Sequence, residues 1–182
     1  KGTGSIAIGR AALETQNFTS ATTTQNVAVG NQAGLRNSTG TENTFIGGYA
    51  GRFAGTSIGS TFIGTEAGLG NDSVRLDGDD NTAVGRDAGK LLQGTATNNT
   101  LIGAFAGDNI TTGDSNIIIG TSIDAASATA DGQLNIGGWI VGSAGQITMP
   151  SQPSFHVVKN ADQNNIAVGS NVTVLWQVES YD

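Results

Sequence analysis

Side chains able to do chemistry are few and scattered in these 182 residues. His156 is the sole histidine and cysteine is absent, so neither a Cys/His nucleophile nor a His-rich zinc site can be assembled within one chain. His156 lies beside Phe155 in a stretch with strand character, which predicts a structural or surface histidine, with ligand contact as the alternative. Acids could still pair as in glycosidases, but they show no repeated spacing. Three of them gather in Asp77-Gly78-Asp79-Asp80. Calcium favours oxygen-rich loops of this kind. The EF-hand spacing and the Gly-Gly-x-Gly-x-Asp nonapeptide are both absent, so Asp77, Asp79 and Asp80 read as an acidic solvated turn before they read as metal ligands. Trp139 could stack on a sugar; beside the last repeat it also fits a hydrophobic cap. The expectation from these residues is a protein that is not an enzyme and carries no cofactor.

Composition agrees with that expectation. Twenty-eight glycines, two prolines and 5% aromatics are unlike a compact enzyme core. Glycine does not recur at every third position, which excludes collagen, while Ile and Val recur regularly, which argues against disorder. The net charge of −7 leaves eight Lys and Arg, at positions 1, 10, 36, 52, 75, 86, 90 and 159. With no basic stripe, a nucleic-acid backbone is an improbable partner and an anionic membrane surface would repel the chain. No apolar run reaches the roughly 18 residues of a membrane span and no basic-then-apolar leader opens the chain, so it reads as an excerpt of something longer.

The elements that position these residues come from a repeat. Asn-Thr-x-Ile/Val-Gly-x-x-Ala-Gly recurs with its central glycine at Gly9, Gly30, Gly47, Gly64, Gly85, Gly103, Gly120 and Gly137, at spacings of 21, 17, 17, 21, 18, 17 and 17. The residue before each glycine is Ile8, Val29, Ile46, Ile63, Val84, Ile102, Ile119 or Ile136, always β-branched, as a short strand prefers. Two residues earlier stand Ile6, Val27, Thr44, Thr61, Thr82, Thr100, Ile117 and Leu134. Strand alternation puts these two columns on one face, which is predicted to be the inside of the coil. The column between them, Ala7, Ala28, Phe45, Phe62, Ala83, Leu101, Ile118 and Asn135, is then predicted to face outward. A strand apolar on both faces is normally covered on both. Phe45, Phe62, Leu101 and Ile118 are therefore the expected seam against further copies of the same chain. Asn26, Asn43, Asn81, Asn99 and Asn116, with Ser5, Ser60 and Gln133, stand four residues before the glycine, placed to hydrogen-bond up and down the stack.

These repeats resemble the left-handed parallel β-roll of trimeric autotransporter adhesin heads. They are also similar to the Asn-Thr-Ala-Ile-Gly-x-x-Ala-Gly repeats of phage tail fibres and of bacterial fibres that attach to other cells. The likeness covers about residues 5 to 140; the departures are the longer coil of 17 and the weak last copy, Gln133-Leu134-Asn135-Ile136-Gly137. It implies an all-β, left-handed parallel β-solenoid shaft in a homotrimer, non-catalytic and used for attachment, on a virion tail or a bacterial surface.

Beyond Gly138 the composition changes. The expected organisation is a repeat shaft of about eight coils over 1–140, a neck and linker over 141–153, and the beginning of a tip domain over 154–182. Ser154-Phe155-His156-Val157-Val158 and Val172-Thr173-Val174-Leu175-Trp176 read as two strands. The Gln-Pro-Ser-Phe opening and the Glu-Ser-Tyr-Asp ending are similar to the first strands of tumour-necrosis-factor-like or complement-type jelly rolls. That similarity implies a trimeric tip, cut short at Asp182, that binds a cell-surface glycan or protein receptor. Two other functions fit parts of the chain: a tailspike-like enzyme degrading carbohydrate, and an ice-binding solenoid suggested by the Thr column. Ice binding needs an exposed Thr array, whereas this column shares the face predicted to be buried.

Overall fold

The structure is a computed structural model that describes residues 3–18, 23–143 and 145–150. The proposed tip over 154–182, with His156 and Trp176, lies outside the described residues. Each repeat contributes one three-residue strand: β1 Ile6–Ile8, β2 Val27–Val29, β3 Thr44–Ile46, β4 Thr61–Ile63, β5 Thr82–Val84, β6 Thr100–Ile102, β7 Ile117–Ile119 and β8 Leu134–Ile136. They stack in sequence order as one parallel sheet with no slip, so that Thr44, Thr61, Thr82 and Thr100 pair in line. The result is an all-β solenoid of about seven turns. Two further strands, β9 Ile140–Ser143 and β10 Gln146–Thr148, continue the same sheet in antiparallel sense. The chain therefore reverses direction where the expected neck begins.

A glycine is required at the end of each strand because adjacent coils touch there backbone to backbone. Gly30, Gly47, Gly64, Gly85 and Gly103 have φ between 128° and 141°, and a Cβ on any of them would collide with the carbonyl oxygen of the glycine one coil on. Every coil also turns through left-handed residues that are not glycine, among them Gln32, Tyr49, Glu66, Asp87, Phe105 and Ser122, with φ between 55° and 63°. A single left-handed L-residue costs about 1–2 kcal/mol; each corner is held by backbone hydrogen bonds to neighbouring coils, such as Tyr49 N–H to Asn31 O and Phe105 N–H to Arg86 O, both 2.8 Å.

The interior holds the reverse of the predicted columns. Ala28, Phe45, Phe62, Ala83, Leu101 and Ile118 are fully buried within a single chain. They pack on Ala33, Ala50, Ala67, Ala88 and Ala106, and on Leu76, Leu92 and Ile110 from the return side of the coil. Phe45, Phe62, Leu101 and Ile118 are thus core, not a seam. Ile8, Val29, Ile46, Ile63, Val84, Ile102, Ile119 and Ile136 are not the coil core but lie on the outward side, exposed or half-buried.

Two features fix this sense. Glycines four residues past the repeat glycine leave room for the inward rings: a Cβ on Gly68 would come within 2.6 Å of the Phe62 ring, and one on Gly34 within 2.6 Å of Phe45 Cδ2. The amide column, two residues before the inward position and so on the same side of the strand, forms an unbroken internal ladder. Backbone N–H groups of Asn43, Ser60, Asn99, Asn116 and Gln133 donate to the Oδ1 of Asn26, Asn43, Asn81, Asn99 and Asn116 at 2.9–3.1 Å. Asn81 N–H donates to Ser60 Oγ at 3.3 Å. The side-chain N–H₂ groups meanwhile satisfy corner carbonyls, as Asn43 does with Ser57 O at 2.7 Å and Asn99 with Gly113 O at 2.9 Å. These amides are shielded from water, where an unpaired polar group would be costly.

Candidate functional site: the outward sheet face and its flank

Because the inward column is buried inside one chain, the outward face of the sheet is the one left open to its surroundings. It carries two columns of eight residues in register: Ile8, Val29, Ile46, Ile63, Val84, Ile102, Ile119 and Ile136 beside Ile6, Val27, Thr44, Thr61, Thr82, Thr100, Ile117 and Leu134. None of these sixteen is charged. Ile8 is 60% exposed, Ile46 38%, Ile63 36% and Ile102 39%, while the four threonines are half-buried. Seven strand spacings of about 4.8 Å make the strip about 34 Å long. On a chain with net charge −7 this strip is uncharged and alternates aliphatic side chains with four threonines.

The flank beside the left-handed corner is different in kind. Tyr49 and Phe105 occupy such corners, with the Arg52 guanidinium 5.4 Å from the Tyr49 ring centre and 4.8 Å from that of Phe53, and Arg86 4.5 Å over Phe105. Lys90 Nζ bridges Glu66 Oε2 at 2.6 Å and Asp87 Oδ1 at 2.9 Å, and the two carboxylates hold its proton more tightly than usual. On the next coils Phe105, Asp108, Ser122 and Asp124 line a recess of about 260 Å³. Burial first, then a hydrogen bond with Asp124, lifts the Asp108 carboxyl above the usual carboxylate range.

The acidic turn spends its carboxylates on backbone. Asp77 Oδ1 accepts from Thr56 N–H and Oγ, each at 3.0 Å, and Asp79 Oδ1 accepts from Ile58 N–H at 2.7 Å. Asp114 and Asp131 do the same later, accepting from the N–H of Thr97 and of Asp114 at 2.8 Å. These aspartates brace one coil against the next, and among the described residues no group of three His, Cys, Asp or Glu side chains is placed to hold a metal ion. Trp139 is 74% exposed and caps nothing; its carbon edge lies by Gly137. Sequence reasoning missed the Phe105 recess, because Asp108 and Asp124 belong to different coils and only the stacking brings them together. Among the described residues no helix is long and apolar enough to cross a membrane.

No known protein family matches the chain, and neither a curated protein nor a solved structure is significantly similar to it.

Proposed function

We propose that the chain is a non-catalytic shaft of a homotrimeric extracellular fibre, of a virion tail or a bacterial surface, that mediates attachment to a cell through a glycan or protein receptor. The observation that carries this reading is the outward strip: Ile8, Ile46, Ile63 and Ile102 line up uncharged in water. Identical strips from three chains would cover one another around a threefold axis, with no charge to desolvate. The seam therefore moves from the Phe column to the Ile column, and the partner remains a second and third copy. A rigid rod built from packed strands then acts as a spacer. Hydrolysis fits poorly: the acids show no repeated spacing along the chain, and Asp77, Asp79, Asp114 and Asp131 accept from backbone N–H groups of neighbouring coils rather than facing each other as a free pair. Analytical ultracentrifugation of the chain tests the proposal. A mass three times 18.3 kDa is expected, and a monomer at micromolar concentration would overturn it.

One observation favours a second reading. The Thr column expected inside is outside, so Thr44, Thr61, Thr82 and Thr100 form a regular array beside Ile46, Ile63, Val84 and Ile102. Such an array of methyls and hydroxyls could order water and bind ice, but only if no second chain covers it. A monomer that shows thermal hysteresis would select this reading; a trimer without hysteresis removes it.

A further inference from the structure

Among the described residues outside the coil interior stand five Phe, Tyr and Trp side chains, Phe18, Tyr49, Phe53, Phe105 and Trp139. Phe105 occupies the left-handed corner, φ +60°, that the coils repeat, and it lines a recess together with Asp108, Ser122 and Asp124. We infer that this recess is a subsite for one neutral pyranose ring of a surface glycan.

The chemistry of the lining supports that ligand class. A pyranose presents an apolar C–H face and a rim of hydroxyl donors; Phe105 offers the apolar surface, and the carboxyls of Asp108 and Asp124 with the Ser122 hydroxyl offer acceptors. At about 260 Å³ the recess falls just below the span of small-molecule clefts, about 300–1,000 Å³, which suits one ring and not a chain of them. A purely apolar ligand would strip water from two carboxyls without replacing it. An acidic sugar would bring its charge against both carboxyls, which outnumber the single guanidinium held over Phe105. A metal ion is disfavoured because, among the described residues, no third His, Cys, Asp or Glu joins the two carboxyls. The Arg86 guanidinium, 4.5 Å from the ring centre, holds Phe105 in place from the previous coil. The inference rests on the attachment reading for the setting in which the sugar is met, and it moves one point of contact from the tip to the shaft.

Saturation-transfer NMR on the 182-residue chain tests it, with methyl glycosides of glucose, galactose, mannose and N-acetylglucosamine beside glucuronic and sialic acids. At least one neutral glycoside should receive saturation, and Phe105→Ala and Asp124→Asn should each weaken its titrated affinity about tenfold, the first by losing the apolar face and the second one charge-assisted contact. Asp124 is exposed, so its substitution leaves the fold intact even if Phe105→Ala does not. Asp72→Asn, on the extra loop, should change nothing. Silence from all neutral glycosides, preference for the acidic sugars, or affinity unmoved in both variants would overturn the subsite. Cell binding measured in parallel separates the two claims: adhesion equal in parent and variants sinks the recess as a contact and spares attachment, whereas saturation without adhesion sinks attachment and spares the recess.

Discussion

The rings of Phe45 and Phe62 stack across adjacent coils, centroids 5.7 Å apart and planes 24° from parallel, inside a single chain. They form the widest part of a narrow core, and Gly51 and Gly68 leave the space they fill. Truncating one removes a large side chain that neighbouring coils cannot collapse to replace. Phe62→Ala should destabilise the solenoid by about 3–5 kcal/mol. Because each coil contacts mainly its neighbours, amide exchange should quicken most around β3 to β5. A variant that unfolds at the parental denaturant midpoint would mean the core lies elsewhere.

Ile63 is the adjacent residue but points outward, 36% exposed, so its substitution separates folding from association. Ile63→Asp should keep the strand signature of the parent in circular dichroism while the mass falls from trimer toward monomer. Three carboxylates brought together at a threefold seam would repel and resist desolvation, a cost of several kcal/mol. A trimer of unchanged melting temperature would locate the seam off this face. Phe62→Asp cannot serve the same purpose, since it places a charge inside the coil.

How much of this was legible follows from what each column does. The strand positions, their register and the role of the glycines were readable because the repeat marks every coil, and β1 to β8 fall where the motif places them. β-branching does not mark the side that faces in. Val and Ile suit an outward sheet face equally well. Parity held the missing signal: Asn43 and Phe45 are two residues apart and so share a side, and buried amides that cap a stack must lie inside. Gly51 and Gly68, one per coil, marked the space that Phe45 and Phe62 occupy. The Phe105 recess could not be read at all, because Asp108 and Asp124 meet only through the stacking of coils.

The internal ladder gives a prediction with its own calibration. Asn99 Oδ1 accepts from Asn116 N–H and Nδ2 at 3.0 Å, and its Nδ2 donates to Gly113 O at 2.9 Å. Asn99→Leu leaves that N–H and that carbonyl buried without partners, a loss of about 1–3 kcal/mol for each. Asn99→Ser should lose less, because Ser60 holds the equivalent rung and its Oγ accepts from Asn81 N–H. Chemical denaturation would order the three proteins Asn, Ser, Leu in falling stability. Equal stability of the Ser and Leu variants would show that the acceptor half of the rung contributes nothing.

The Asp108 carboxyl supplies a pH dependence. Burial and the hydrogen bond with Asp124 raise its pKa, the charges of Asp124 and Asp87 add to the rise, and Lys90 opposes it. A folded-state pKa above the unfolded value of 3.8 means that the folded chain binds this proton more tightly. Its contribution to stability is fully present below the unfolded value and is lost as pH rises through the folded one. At neutral pH the ionised Asp108 carboxylate works against the fold. Asp108→Asn, which keeps the side chain's size and removes its charge, should therefore melt at a higher temperature than the parent at pH 7. That advantage should shrink toward pH 3.5, where the parental carboxyl is protonated. A difference constant from pH 3.5 to 7 would mean that Asp108 ionises as freely in the folded chain as in the unfolded one.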